Sequence, residues 1–170
     1  NYIMEILAES PRVFRPGYLK KRVFGKFMPG NVGAVHGCPW KRARKLNELA
    51  LFHEDLHLYS EKYDAYVASG IRKWLPKREL SYNDFLAFAK RTACFIVFGS
   101  QDVPGKFFDT FSEANSLQSV YDETYKIDSR TRKIFTETIT RFINNPVPGS
   151  LVHLCLKFTK DRKMLAQQIP

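Results

Sequence analysis

The chain has 170 residues, an apolar fraction of 44% and a formal net charge of +10 at pH 7. This length suits one ordinary domain with a core of its own, and the composition excludes a disordered or fibrous chain. No apolar run reaches the roughly eighteen residues of a membrane-spanning helix, the longest being residues 93–98. The sequence starts on Asn1 without a methionine, so we expect a processed or trimmed piece of a longer protein.

The chain reads as a succession of helices separated by turn-rich segments. A short helix is predicted over residues 2–9, and a loop containing small residues is predicted over residues 32–37. Apolar residues at helical spacing predict further helices from Pro39 to near Phe52, over 54–73, from Ser81 to about Val97, over 107–117, from Asp128 or Ser129, and from Ser150 to Leu165. Ser81, with Asp84 three residues later, gives the third of these helices a start similar to a capping box, and Gly99 is placed to end it.

The segment 85–96 is apolar on almost every side, which is typical of a helix buried in a larger structure. No stretch alternates apolar and polar residues over the length of a strand. We therefore predict an all-α fold, as a single helical domain over residues 1–170 or as a fragment of a larger domain.

Basic residues cluster at 20–22, 41–45 and 72–78. Such clusters suit an acidic partner protein or nucleic acid, although a solvated basic face is an equally simple explanation. The sequence has no RNA-recognition, helix-turn-helix or zinc-finger pattern, so nucleic acid is not the favoured partner. Three cysteines without C-x-x-C spacing indicate neither a disulfide framework nor a zinc ribbon, and favour a reducing, intracellular compartment.

Trp40 and Arg44 are four residues apart on the helix predicted from Pro39, and therefore share one face. An indole N–H and a guanidinium group are hydrogen-bond donors only. Together they suit an anion, and a carboxylate best, because arginine binds carboxylates with two parallel hydrogen bonds. The alternative is that Trp40 belongs to the core and Arg44 pairs with an acidic neighbour.

The pattern Gly37-x-x-Trp40-x-x-x-Arg44 resembles the C-helix signature of the cytochromes P-450, the haem-thiolate monooxygenases. The resemblance implies that Trp40 and Arg44 bind a haem propionate. It also implies that the preceding loop lies beside the haem edge and the substrate. The residues assigned to these roles are His36 for the cofactor and Val32, Ala34 and Val35 for the pocket of a lipophilic substrate.

The order of the predicted helices is similar to the B-to-H region of the same family, over nearly all of the chain. The family's proton-delivery helix, its Glu-x-x-Arg pair and its cysteine loop are not found in these residues. The resemblance therefore implies a contribution to haem monooxygenation in a complete protein, and no catalysis by this chain alone. Lys41, Arg42 and Lys45 flank the motif and are expected to face an acidic electron-donor protein.

The segment His53-Glu54-Asp55-Leu56-His57 spells the H-E-x-x-H motif of zinc metalloproteases. This alternative makes His53 and His57 zinc ligands and Glu54 the general base. The charge of Asp55 within the motif and the lack of a third ligand at close spacing count against it.

A third alternative is a non-catalytic helical interaction subunit derived from such a fold. The basic clusters and the missing catalytic set fit this alternative, because a fold does not dictate a function. In it, Trp40 is a core residue and Arg44 contacts an acidic partner.

Overall fold

The computed structural model describes residues 21–22, 25–26, 28–77, 79–114, 116, 121–122 and 124–168. The described part is built from helices joined by turns, and it contains no strand. The predicted all-α class is therefore confirmed. The helix predicted over residues 2–9 lies outside the described residues.

We number the helices in chain order. They are α1 (Cys38–Leu51), α2 (Asp55–Arg72), α3 (Tyr82–Phe98), α4 (Asp109–Ala114), α5 (Ser129–Asn144), α6 (Leu151–Phe158) and α7 (Arg162–Gln168). A 3₁₀ turn, Gly105–Phe107, precedes α4. The predicted starts and ends of α1, α2 and α3 agree with these bounds to within one or two residues.

Two of the helices predicted as continuous are each divided into two elements in the structure. The helix predicted from Ser150 to Leu165 is interrupted after Phe158, because Thr159 adopts an extended backbone conformation. The side chain of Asp161 then accepts a hydrogen bond from the backbone N–H of Met164 at 2.8 Å, which caps the start of α7. The helix predicted over 107–117 is likewise divided into the 3₁₀ turn and α4.

The ends of α3 follow the local sequence closely. At the start, Ser81 and Asp84 form the predicted capping box, in which each side chain accepts a hydrogen bond from the other residue's backbone N–H. At the end, Gly99 adopts the left-handed conformation with φ 73°, which glycine allows without steric cost. Single side chains cap the starts of α5 and α6. Asp128 accepts a hydrogen bond from the backbone N–H of Thr131, and Ser150 accepts one from that of His153.

We expect Ser81→Ala to raise the pKa of Asp84. Hydrogen bonds from Lys77, at 2.6 Å, and from Ser81 hold this pKa at about 2. A lowered pKa stabilises the fold at neutral pH, and that contribution is lost as the pH falls through the folded-state value. In Ser81→Ala this contribution will therefore be smaller and its loss will be complete at a higher pH, and the missing cap will cost about 1 kcal/mol.

The measurement is an NMR titration of the Asp84 carboxyl group in the wild type and in Ser81→Ala. Ser129→Ala is the matched control, because Ser129 is an exposed residue in the first turn of α5. An unchanged pKa for Asp84 in Ser81→Ala would contradict the capping box.

The centre of the fold is α6, which has only eight residues yet contacts α1, α2, α3, α5 and α7. Its residues Val152, Leu154 and Cys155 are almost completely buried. An isolated helix of this length is unstable in water. Its stability therefore comes from the apolar surface that it buries against the surrounding helices.

One side of the core is aromatic. Phe98 at the end of α3 stacks on Phe142 of α5, with 4.5 Å between ring centroids. Phe107 meets Phe98 edge-on at 5.8 Å and stacks on Phe135 at 5.0 Å. These rings fix the 3₁₀ turn and the end of α3 against α5.

The helix α3 is not covered on every side by the described residues, and its burial in a larger structure stays a prediction. Cys94 and Phe98 are buried, whereas Phe85 is 50% exposed and Leu86 is 36% exposed. The elements that contact α3 most extensively are α2 and α6. Its outer face consequently remains open to solvent in the described part of the chain.

Crossing a bilayer requires a helix of about twenty apolar residues. None of the described helices has the length and the apolarity needed. This agrees with the expectation from the sequence for these residues.

Candidate functional site

The loop before α1 turns sharply at Gly37, where φ is 69° and ψ is −140°. A Cβ atom at Gly37 would meet no atom within 4 Å. The reason for glycine here is therefore the backbone conformation, which is strained for other residues, and not a lack of space. Pro39 lies in the first turn of α1, where its missing N–H has no cost.

Trp40 and Arg44 are in contact on one face of α1, as their spacing predicts. The guanidinium carbon of Arg44 is 5.0 Å from the centroid of the Trp40 ring. The Nε of Arg44 also donates a hydrogen bond to Oε1 of Glu48 at 2.6 Å. The structure thus contains both the predicted shared face and the alternative pairing of Arg44 with an acidic neighbour.

The Trp40–Arg44 pair keeps donors available for a ligand. Arg44 uses its Nε for Glu48, and the described residues offer no acceptor to its terminal nitrogens or to the indole N–H of Trp40. The Arg44 side chain is 46% exposed and Trp40 is partly buried. An anion can therefore approach from the solvent side, although it must share the charge of Arg44 with Glu48.

The loop at 28–37 is fixed to the C-terminal helix α7 by hydrogen bonds. The backbone N–H of Val32 donates to Oε1 of Gln168 at 3.0 Å, and Nε2 of Gln168 donates to the carbonyl of Gly30 at 2.5 Å. The side chain of Asn31 donates to the carbonyl of Gln167 at 3.1 Å. Sequence reasoning missed both glutamines, because nothing in their local pattern points to a partner so distant in the chain.

The predicted pocket residues in this loop differ in their exposure to solvent. Ala34 is buried, Val32 and Val35 are partly exposed, and His36 is exposed. The four residues lie together in the loop that leads into α1. Their assignment to a substrate pocket and to a cofactor stays a prediction.

The basic residues Lys41, Arg42 and Lys45 are all exposed on α1. Arg42 and Lys45 also border a cleft of about 400 Å³ between α1 and the segment 158–164. The apolar residues of this cleft are Leu46, Leu49, Phe158 and Met164.

The residues of the zinc motif are not all on one helix. Because α2 begins at Asp55, His53 lies before it, and its Nδ1 accepts a hydrogen bond from the N–H of Asp55 at 3.0 Å. Lys157 pairs with Asp55 and lowers the pKa of this carboxyl group. Glu54 is the N-cap of α2, and the side chain of His57 lies outside the described residues.

His53 and His57 therefore do not both lie within α2, and the zinc alternative stays a prediction. Within the described part of the chain, no three histidine, cysteine or acidic side chains form a group suited to a metal ion.

Of the three cysteines, Cys38 is exposed, whereas Cys94 and Cys155 are buried. Burial raises the pKa of Cys94 and of Cys155 to about 11. Both thiols are consequently protonated at neutral pH and pack as small apolar side chains.

Comparisons with protein-family models, with curated proteins and with solved structures give no significant match.

Proposed function

We propose that this chain is part of a haem monooxygenase similar to the cytochromes P-450, in which Trp40 and Arg44 bind a haem propionate. The observation that supports the proposal is the contact between these two side chains, 5.0 Å apart on one face of α1. Their unused donors and the exposure of Arg44 suit a carboxylate. In the complete protein, the thiolate-ligated haem would supply the oxygen-activating chemistry.

The residues of this chain would bind the haem and position the substrate, while the reacting atoms would belong to the cofactor and the substrate. Glu48 accepts a hydrogen bond from Nε of Arg44, which would leave the terminal nitrogens of Arg44 for the ligand. The hydrogen bonds of Gln168 fix the loop that carries Val32, Ala34 and Val35. In the proposal, these small side chains border the pocket of a lipophilic substrate, and His36 lies at the edge of the cofactor.

The exposed residues Lys41, Arg42 and Lys45 would attract an acidic electron-donor protein. Each of them lacks an acidic partner among the described residues. Unpaired positive charge on one surface accelerates association with an acidic protein and fixes its orientation.

The second candidate is a non-catalytic helical interaction subunit. The observation that favours it is that Arg44 already has two partners, Glu48 and the Trp40 ring, without any cofactor. Phe52, at the end of α1, is 87% exposed and would be available to a partner protein. This candidate predicts that the protein takes up no haem.

The test is a titration of haem into the natural protein that carries this segment, followed by absorbance in the Soret band. In Arg44→Ala we expect a dissociation constant about 10- to 150-fold higher, since a hydrogen bond to a charged group contributes about 1.5–3 kcal/mol. Arg42→Ala is the matched control, because residues two positions apart do not share a helix face.

Trp40→Phe refines this test by removing the indole N–H while keeping an aromatic ring. We expect it to weaken haem binding less than Arg44→Ala, because the lost donor is uncharged. Equal binding by Arg44→Ala and Arg42→Ala would remove Arg44 from its proposed role. Absence of haem uptake by the wild type would favour the interaction subunit.

A further inference from the structure

A second cleft lies between α2 and α3, on different elements from the Trp40–Arg44 pair. It has a volume of about 380 Å³. We call it the α2–α3 cleft, and the residues that matter for its chemistry are Tyr66, Gly70, Lys73, Trp74, Phe88 and Arg91. Its size falls within the range of sites that bind small molecules, about 300–1,000 Å³.

The floor of the α2–α3 cleft is a rigid aromatic surface. Trp74 meets Phe85 and Phe88 edge-on, with ring centroids 5.0 and 4.8 Å apart. Tyr66 stacks on both Phe88 and Phe95, at 6.2 and 4.6 Å. Because each ring is held by its neighbours, the surface is already formed before any ligand binds.

Gly70 explains how this surface comes so close to the backbone of α2. A Cβ atom at Gly70 would lie 2.2 Å from Cε2 of Phe88, which is closer than atoms can approach. A glycine inside a helix costs about 1 kcal/mol relative to alanine. The absence of a Cβ atom at Gly70 allows Phe88 to lie against α2 and to form a wall of the cleft.

The rim of the α2–α3 cleft carries excess positive charge. Lys77 is neutralised by Asp84, which lies 2.6 Å away. Lys73 and Arg91, both exposed, have no acidic partner within the described part of the chain. Asn83 and Gln101 add polar groups to the same rim. Two unpaired cations beside an aromatic floor favour a ligand that is both flat and negatively charged.

We propose that the α2–α3 cleft binds a small planar aromatic anion. Its ring lies against Trp74 and Phe88, and its acidic group lies between Lys73 and Arg91. This site is independent of the proposed haem contact, because it uses none of the same residues.

The test uses naphthalene-2-sulfonate as the probe and NMR as the readout. The chain has two tryptophans, Trp40 and Trp74, so their indole N–H resonances can be assigned with Trp40→Phe. We expect the probe to shift the Trp74 resonance. Neutral 2-naphthalenemethanol and ring-free methanesulfonate should each bind at least tenfold more weakly.

The double variant Lys73→Ala/Arg91→Ala should raise the dissociation constant of naphthalene-2-sulfonate at least tenfold. The matched control is Lys62→Ala/Arg132→Ala, which removes the same charges from exposed positions outside the cleft. Its dissociation constant should stay within twofold of the wild type. Both residues of each pair are exposed, so neither variant removes core packing.

Three results would overturn the proposal. One is an unshifted Trp74 resonance at millimolar probe. Another is equally tight binding of the neutral naphthyl compound, which would make the cleft a purely apolar site. The third is an equal rise of the probe's dissociation constant in both double variants, which would show that the net charge of the chain, and not the position of Lys73 and Arg91, determines binding. None of these results bears on haem binding.

Discussion

Phe98→Ala is expected to lower the free energy of unfolding by about 3–5 kcal/mol, the usual cost of removing a buried phenylalanine ring. Phe98 is only 1% exposed. Its ring stacks on Phe142 at 4.5 Å and meets Phe107 edge-on at 5.8 Å. The substitution therefore removes buried apolar area and two aromatic contacts, and it leaves a cavity where α3, α5 and the 3₁₀ turn meet.

The measurement is denaturant unfolding, compared with the matched control Phe52→Ala. Phe52 is 87% exposed, so its removal should change stability by no more than about 0.5 kcal/mol. A loss of 3–5 kcal/mol is a large part of the stability of an ordinary domain, about 5–15 kcal/mol. Phe98→Leu, a milder change with a smaller expected loss, keeps the measurement possible if the alanine variant is unfolded.

Equal stabilities of Phe98→Ala and Phe52→Ala would contradict the aromatic core described above. A large loss in Phe98→Ala alone would support it, and would also support the position of the 3₁₀ turn against α5.

Gly99→Ala is expected to destabilise the protein by about 2–5 kcal/mol. The left-handed conformation of this residue, with φ 73°, costs alanine about 1–2 kcal/mol. The added Cβ would lie 2.6 Å from Cβ of Val147 and 2.7 Å from its Cγ1. Overpacking of this kind costs about 1–3 kcal/mol more.

The consequence of Gly99→Ala should extend beyond α3. Val147 belongs to the turn immediately before Ser150, the N-cap of the central helix α6. A change of the Val147 side-chain rotamer cannot relieve the overlap, because the Cβ of Val147 itself would lie against the added methyl group. The backbone of the turn must therefore move. We therefore expect the variant to disturb the packing of α6 as well.

Gly105→Ala is the matched control for Gly99→Ala. A Cβ at Gly105 would meet nothing within 4 Å, and its φ is not positive. We expect its stability to stay within about 0.5 kcal/mol of the wild type. Similar losses of stability in the two variants, measured by denaturant unfolding, would contradict the left-handed conformation of Gly99 and its close contact with Val147.

The amino-acid sequence by itself determined the features that depend on residues a few positions apart. The capping box of Ser81 and Asp84, the end of α3 at Gly99 and the start of α5 at Asp128 or Ser129 all follow from local hydrogen bonding and backbone preference. The contact between Trp40 and Arg44 also follows from local geometry, because helical residues four positions apart are neighbours.

Only the tertiary structure decided which surfaces are covered and which distant residues meet. The hydrogen bond from Val32 to Gln168 spans 136 positions, and no local pattern selects such a partner. The central place of α6, the open face of α3 and the cleft formed by Lys73, Trp74 and Arg91 arise in the same way. Packing of whole helices sets these features, because apolar spacing tells which face a helix can bury and leaves open which neighbour will cover it.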